Sequence, residues 1–251
     1  MEDQKKVFIT GASRGIGKSL AQQYSENSDV FLFARNEIAL SEICDELKSK
    51  GRNAHYFAGD IGDRNDVGKA IEMAKDTMGG IDIAILNAGI SDHMNIREFS
   101  SDTFEKHFRI NVLGNAYAFE FLIPVMKAKG GVIAGVSSIA DFRGMPGSSP
   151  YSSSKIAFTY LLEAARIELR AVNIRVVTIR FGFIQTDMIK KNDFYMPFIL
   201  SPDICARRII RGIAKGKDVI SFPKLMVWLT AITRLLPGKL YEKILRFRVR
   251  G

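Results

Sequence analysis

The sequence predicts an α/β domain: a doubly wound parallel sheet of about seven strands with helices on both faces. Two observations predict it. Short, nearly continuous apolar and β-branched runs recur along the chain, as strands covered on both faces should. A longer helical pattern separates almost every such run from the next. That alternation demands crossover connections, which are right-handed and give a parallel sheet. The 251 residues suit one such domain, with 1–223 as its body and 224–251 as a basic amphipathic appendage.

In chain order, strands are expected at 6–10, 30–34, 54–59, 81–87, 131–137, 175–180 and 219–222. Helices are expected between them at 15–25, 37–50, 64–78, 101–127, 150–171 and 202–215. The 101–127 segment is long, and Pro124 is expected to bend or shorten its end. Neither an internal repeat nor a low-complexity segment interrupts the order. Ligands of such sheets bind beyond the carboxyl ends of the strands, where strand order reverses.

Composition narrows the class. Hydrophobic residues make up 47% and charged residues 25%, which suits a core-forming domain and excludes a disordered one. Cys44 and Cys205 stand far apart without a CxxC or Cys/His cluster, so they read as reduced thiols of a cytoplasmic protein, and no metal site is expected. No signal peptide is expected at the N-terminus, and no run of 18 apolar residues suggests a spanning helix. The net charge is +9, but residues 224–251 hold seven basic residues against one acid. The basicity therefore belongs to the tail, and no nucleic-acid partner is expected.

Val7-Phe8-Ile9-Thr10 leads into Gly11-Ala12-Ser13-Arg14-Gly15-Ile16-Gly17 and then a helix. Glycines let backbone approach a pyrophosphate, and a helix N-terminus presents free N–H groups and partial positive charge. The spacing is GxxxGxG, a Rossmann-like variant of the general dinucleotide turn. An NAD site usually carries Asp or Glu at the end of the second strand to accept the ribose 2′-OH. Here that strand ends Phe33-Ala34-Arg35-Asn36, without an acid. Arg35 can pair with a 2′-phosphate, flanked by Arg14, so NADP(H) is the expected cofactor.

Tyr151 and Lys155 stand at i and i+4 in the 150–171 helix and share one face. A free phenol ionises near pH 10, and a nearby ammonium is expected to lower that value towards the working range. Lys155 has protons to spare for ribose hydroxyls. Ser138 closes the fifth strand, where this fold exposes reactive side chains, and its hydroxyl could donate to a substrate oxygen beside the tyrosine. Ser137 competes for that role, and spacing alone does not choose between them. Gly135-Val136-Ser137-Ser138-Ile139 also begins like a nucleophile elbow, but it lacks the closing glycine. His55, His93 and His107 all precede the serines, against the order that a hydrolase of that type needs.

Together these motifs resemble the short-chain dehydrogenase/reductase superfamily, in its compact branch. The resemblance covers about residues 5–190 and includes Gly59-Asp60-Ile61, Leu86-Asn87-Ala88-Gly89 and Ile110-Asn111-Val112. It implies that Asp60 and Ile61 bind the adenine end and that Asn87, Ala88 and Gly89 line the cofactor, with the Asn87 side chain bracing strands. It implies that Asn111, through a helix irregularity, holds a water linking Lys155 to solvent. It makes Tyr151 the acid/base, Lys155 the ribose holder and Ser138 the group that polarises the carbonyl. The usual Pro-Gly after the sixth strand is replaced by Phe181-Gly182, while Ile184 and Thr186 stand where carboxamide contacts are expected. The last strand lacks the glycine-rich ending of many tetrameric members, so no tetramer is inferred and a homodimer stays open.

The appendage alternates apolar residues and cations around Trp228, through Leu235, Tyr241 and Phe247. It suits either a helix lying in a membrane interface, at the inner face of a membrane, or a terminal helix pair capping the pocket or forming a dimer contact. The 187–200 segment, with Met188, Ile189, Phe194, Tyr195, Met196, Phe198 and Ile199, reads as a substrate loop for a lipophilic carbonyl or alcohol, or as a core closure. The leading function is an NADPH-dependent carbonyl reductase. An enzyme on the same scaffold running mainly towards oxidation of a lipid alcohol and a dinucleotide-sensing binding protein without turnover are the alternatives, and the set Asn111, Ser138, Tyr151 and Lys155 argues against the last.

Overall fold

The computed structural model describes residues 4–188 and 196–246. Seven parallel strands form one sheet: β1 (Lys5–Thr10), β2 (Ser28–Ala34), β3 (Ala54–Ala58), β4 (Ile83–Leu86), β5 (Gly131–Val136), β6 (Ile174–Phe181) and β7 (Val219–Phe222). Their order is β3-β2-β1-β4-β5-β6-β7. The chain winds outward from β1 to β3, then returns to the centre and winds the other way. The reversal lies between β1 and β4, where Val7 pairs with Ile83 and Ile9 with Ile85.

Strand side chains alternate between two faces, and here both faces are covered. Val7 and Ile9 pack with Leu32, Ile85 and Val177 beneath α1 (Gly15–Tyr24), α2 (Glu37–Ser49) and α7 (Pro202–Ala214). On the opposite face Phe8 packs with Phe31, Phe33 and Leu86 beneath α3 (Arg64–Met78), α5 (Gly114–Met126) and α6 (Ser149–Glu168). Phe8 stacks on Phe31 and Phe33 with ring centres 6.0 and 6.3 Å apart. Each such fully buried side chain stabilises the fold by about 1.5–3 kcal/mol. Asn36, Asp63 and Ser201 accept backbone N–H bonds at the starts of α2, α3 and α7, each cap adding about 1 kcal/mol.

One helix differs from its expected course. The 101–127 segment divides into α4 (Ser101–Phe108), a π turn over Arg109–Leu113, and α5. The break is not at Pro124, which lies inside α5. Its cause is a local competition: the Asn115 side-chain amide donates to the Asn111 carbonyl at 2.8 Å, replacing regular ladder geometry with a wider turn.

Two contacts bear on the site. Where α6 crosses β5, a Cβ at Gly135 would lie 2.6 Å from Leu162 Cδ2 and 2.7 Å from Phe158 Cζ, so helix and strand approach more closely than any side chain there would permit. After β7 the chain forms α8 (Lys224–Thr233) and α9 (Gly238–Arg246). Arg143, in the loop after β5, donates to the Thr233 carbonyl and, at 2.8 Å, to the Leu236 carbonyl. Its guanidinium lies 4.1 Å from the centre of the Tyr241 ring, and Tyr241 Oη donates to the Gly144 carbonyl at 2.6 Å. Among the described residues no helix is long and apolar enough to cross a membrane.

Candidate active site

The glycine turn is lashed to the neighbouring strand end. Thr10 Oγ1 accepts bonds from the backbone N–H groups of Asn87 and Ala88, both at 3.0 Å. Asn87 Nδ2 donates to the carbonyls of Thr10 and Gly11 at 3.1 and 3.2 Å, so its side chain does brace two strands. Gly11 has φ +65°, and a Cβ on it would lie 2.8 Å from Ala88 Cα. A Cβ at Gly17 would meet the Gly11 carbonyl at 2.2 Å. Only glycine closes this turn. Residue 14 caps α1 without a side-chain bond, and the first turn of α1 holds no acid. Its N–H groups therefore meet the cavity with their partial positive charge undiminished.

That cavity, about 1620 Å³, runs across the carboxyl ends of the strands. It exceeds the roughly 300–1000 Å³ of a small-molecule pocket, leaving room for a dinucleotide and a second molecule. Gly11, Ser13, Arg14, Gly15 and Ile16 line one end, and Arg35, Asp60 and Ile61 stand beside them. Asn87, Ala88 and Gly89 form the floor that leads to Ser138, Tyr151 and Lys155, with Ile184 and Thr186 opposite. Two predicted residues do not line it. Gly17 is buried beneath the turn, and Asn111 is wholly buried behind Gly89.

At the end that holds Tyr151 and Lys155 the two serines separate. Ser137 is wholly buried, and its hydroxyl engages Thr159 Oγ1 at 2.7 Å and donates towards Asp141 Oδ2 at 3.2 Å and the Lys155 carbonyl at 3.3 Å. Ser138 faces the cavity, accepts from Ala140 N at 3.2 Å and hydrogen-bonds the Tyr151 phenol. Lys155 Nζ donates to the Val136 carbonyl at 2.9 Å and lies 5.8 Å from the centre of the Tyr151 ring. The Asn111 side chain accepts from Ile90 N at 2.8 Å and donates to the Ile90 carbonyl and Ser154 Oγ, both at 3.0 Å. It thus ties the loop after β4 to α6, and it sits in the π turn, the irregularity that the family resemblance implied.

The electrostatics correct one expectation. Burial pushes the Tyr151 phenol up from its ordinary value, the Ser138 bond pulls it down, and the Asp141 charge adds to the rise. Lys155 does not lower it here. Burial penalises the ammonium itself and brings Lys155 down to about 8, with Asp141 opposing. Asp141 was not anticipated from the sequence. It lies three residues past Ser138, almost wholly buried, with Oδ2 accepting from Arg180 Nε at 2.6 Å and from Thr159 Oγ1 at 2.7 Å. An acid in the short turn that follows an apolar strand, with Arg180 near the end of another, was the available signal.

The remaining candidates are placed as follows. Arg35 is exposed at the rim, and Arg14 makes a 3.7 Å surface pair with Asp187. Asp60 Oδ1 accepts from Gly62 N at 2.8 Å. Phe181 stacks on Phe222 at 5.9 Å where the family carries proline, and Ile184 bridges to Leu200. His107 is buried, with Nε2 accepting from Asp92 N at 3.0 Å and Nδ1 2.7 Å from the Thr103 carbonyl, a structural role. In the 187–200 segment, Met188 and Met196 line the cavity, while Phe198 and Ile199 are exposed. Ile189, Phe194 and Tyr195 lie outside the described residues, as does Phe247 of the tail.

Comparison with known proteins agrees with this geometry. The short chain dehydrogenase family matches residues 5–194, well over half of the chain. The protein is a short-chain dehydrogenase/reductase. Similar proteins include an uncharacterized oxidoreductase of Myxococcus xanthus (strain DK1622), 29% identical over 244 residues, 96% of either chain. Estradiol 17-beta-dehydrogenase 11 of Mus musculus is 28% identical over 248 residues, 97% of this chain and 83% of that one. A short-chain dehydrogenase/reductase from Burkholderia phymatum, solved in complex with NAD, shares the fold with a TM-score of 0.83 at 20% identity, over 92% of this chain and 93% of that one. As a short-chain dehydrogenase/reductase the protein is an oxidoreductase using a nicotinamide dinucleotide. The match ends before α7, so α8 and α9 lie beyond it.

Proposed function

We propose that the protein interconverts a lipophilic carbonyl and its alcohol with NADP(H). The observation that carries the reading is the convergence of Ser138, Tyr151 and Lys155 on one wall of the cavity that begins at the glycine turn. The dinucleotide, when bound, supplies or accepts the hydride.

The chain's own groups do the rest. The start of α1 and the glycine turn hold the pyrophosphate, and Asp60 with Ile61 borders the adenine. Arg35 meets the 2′-phosphate at a strand end that carries no acid. Arg14 joins it, since its exposed pair with Asp187 is worth at most about 1 kcal/mol. Lys155, fixed by the Val136 carbonyl, offers its remaining protons to ribose hydroxyls. Ile184 and Thr186 border the carboxamide. Ser138 donates to the carbonyl oxygen, and Tyr151 gives that oxygen its proton in reduction and takes it back in oxidation. A phenol held up by burial keeps its proton until the oxygen demands it, which suits reduction. Asn111 holds the catalytic helix against the cavity floor and lies on the route by which Lys155 exchanges protons with solvent.

The lipophilic character rests on the outer wall, where Ile139, Met145, Met188, Met196, Met226 and Leu245 stand together. Methionine adapts to apolar ligands of irregular shape. The likeness to a protein named for estradiol points the same way. The test is Tyr151→Phe, assayed with NADPH against apolar ketones. Turnover should fall at least about 100-fold while NADPH still binds. Retained turnover would remove the tyrosine from the chemistry.

A further inference from the structure

We propose that the outward faces of α8 and α9 seat the protein on an anionic lipid bilayer, with the mouth of the cavity beside the lipid. What enters the cavity there rests on the function proposed above; the seating itself does not.

The tail has two faces with different duties. Inward, Met226, Thr230 and Leu245 line the edge of the cavity, and Arg143 holds the carbonyl end of α8. A Cβ on Gly182 would lie 2.6 Å from Met226 Sδ, so α8 is pressed against the loop after β6. Outward, Leu225, Trp228, Leu229 and Ile232 follow at i, i+3, i+4 and i+7, a single helical stripe. They are 57%, 69%, 57% and 49% exposed, and Leu235 beyond them is 83% exposed. In α9 Leu240 and Ile244, four residues apart, are also exposed, whereas Tyr241 turns inward. Rows of this kind mark an interaction surface.

Charge decides which surface. Lys217, Lys224 and Ser221 line a shallow cleft of about 290 Å³ together with Trp228 and Val227, so two lysines share a cleft with the tryptophan. Lys239 and Lys243 lie four residues apart beside Leu240 and Ile244, and Glu242 is the one acid from 224 to 246. Apolar side chains with tryptophan, edged by lysines, match the interface of a bilayer with anionic headgroups. A second copy fits less well. A two-fold contact would gather the lysines of two copies on one patch, with Glu242 as the one acid of each tail to answer them. Because the inner sides of the same helices line the cavity, a carbonyl dissolved in the lipid enters without crossing bulk water.

Trp228 is the only tryptophan of the chain and so reports on this face directly. The experiment mixes the full chain with vesicles of phosphatidylcholine alone, or of phosphatidylcholine with phosphatidylserine. Emission should shift to the blue and be quenched by bromine-labelled acyl chains only with the anionic vesicles, less so as salt is raised. Neutralising Lys217 or Lys224 should weaken binding about fivefold each. Leu229→Glu with Ile232→Glu should abolish it; both sites are exposed, and an unchanged melting curve would verify the fold. Tyr151→Phe should bind vesicles like the parent, so the seating stands or falls apart from the chemistry. Unchanged emission with anionic vesicles would overturn the proposal. So would a blue shift that follows protein concentration without lipid, accompanied by a doubled sedimenting mass.

Discussion

Replacing Lys155 with methionine isolates the cost of keeping an ammonium inside the site. The side chain is 3% exposed, and burial lowers its pKa from 10.5 to about 8. At about 1.36 kcal/mol per pH unit, the folded state gives up about 3 kcal/mol to hold that charge. Methionine fills nearly the same volume but leaves the Val136 carbonyl without its 2.9 Å partner, costing about 1 kcal/mol. The variant should therefore be about 2 kcal/mol more stable at pH 7. The gain fades with pH, and once the penalty is gone the lost Val136 bond leaves the variant the less stable protein. Below about 8 the lysine is protonated both folded and unfolded, and the parent bears the whole penalty. Between about 8 and 10.5 only the unfolded chain keeps the proton, so the parent gains stability with rising pH and the variant's advantage shrinks. Guanidinium denaturation of both proteins at pH 7 and pH 10, compared by midpoint at equal slope, measures it. A variant less stable than the parent at pH 7, or an advantage that does not shrink by pH 10, would refute the reasoning. Turnover should collapse in the same variant, stability rising where function is lost.

Asp141→Asn removes the partner of Arg180 and leaves only half-exposed Glu163 at 3.2 Å, so stability should drop by about 3 kcal/mol in urea denaturation. Because the Asp141 charge raises Tyr151, the variant's phenol should ionise earlier and the oxidation rate should rise at lower pH, a shift that lost packing alone does not produce. Arg35→Asp should turn preference from NADPH to NADH in fluorescence titrations, and an unchanged ratio would rule out 2′-phosphate recognition by Arg35. In Gly17→Ala the new methyl meets the Gly11 carbonyl and Ala12 Cα, neither of which can yield cheaply, so calorimetry should find a loss of about 1–3 kcal/mol along with weaker NADPH binding.

Where the sequence was legible, the reason was local. The GxxxGxG turn, the pair Tyr151 and Lys155, and the seven strands each depend on residues close together in the chain, and all stand where they were expected. Features that depend on distant partners were hidden. Ser137 and Ser138 look alike until Thr159 and Asp141 claim the first and Tyr151 the second. The π turn depends on a side chain at Asn115 capturing a carbonyl, which no hydrophobic period encodes. The direction of the Tyr151 shift was misread because the i+4 lysine suggests a charge effect, whereas burial, a property of the whole fold, is the larger influence.

The close crossing at Gly135 gives the 20-residue helix α6 the character of a lever. Phe158 and Leu162 rest on the strand there, and Tyr151 and Lys155 ride the arm that leads to the cavity, while Ser138 follows just after the strand ends. The gap between the Tyr151 phenol and the Ser138 hydroxyl thus depends on a contact made at the core. A methyl added at position 135 would press on Leu162 and Phe158 at the root of that arm, and any shift of the helix would carry phenol and ammonium together. The placement of these groups therefore answers to packing inside the core.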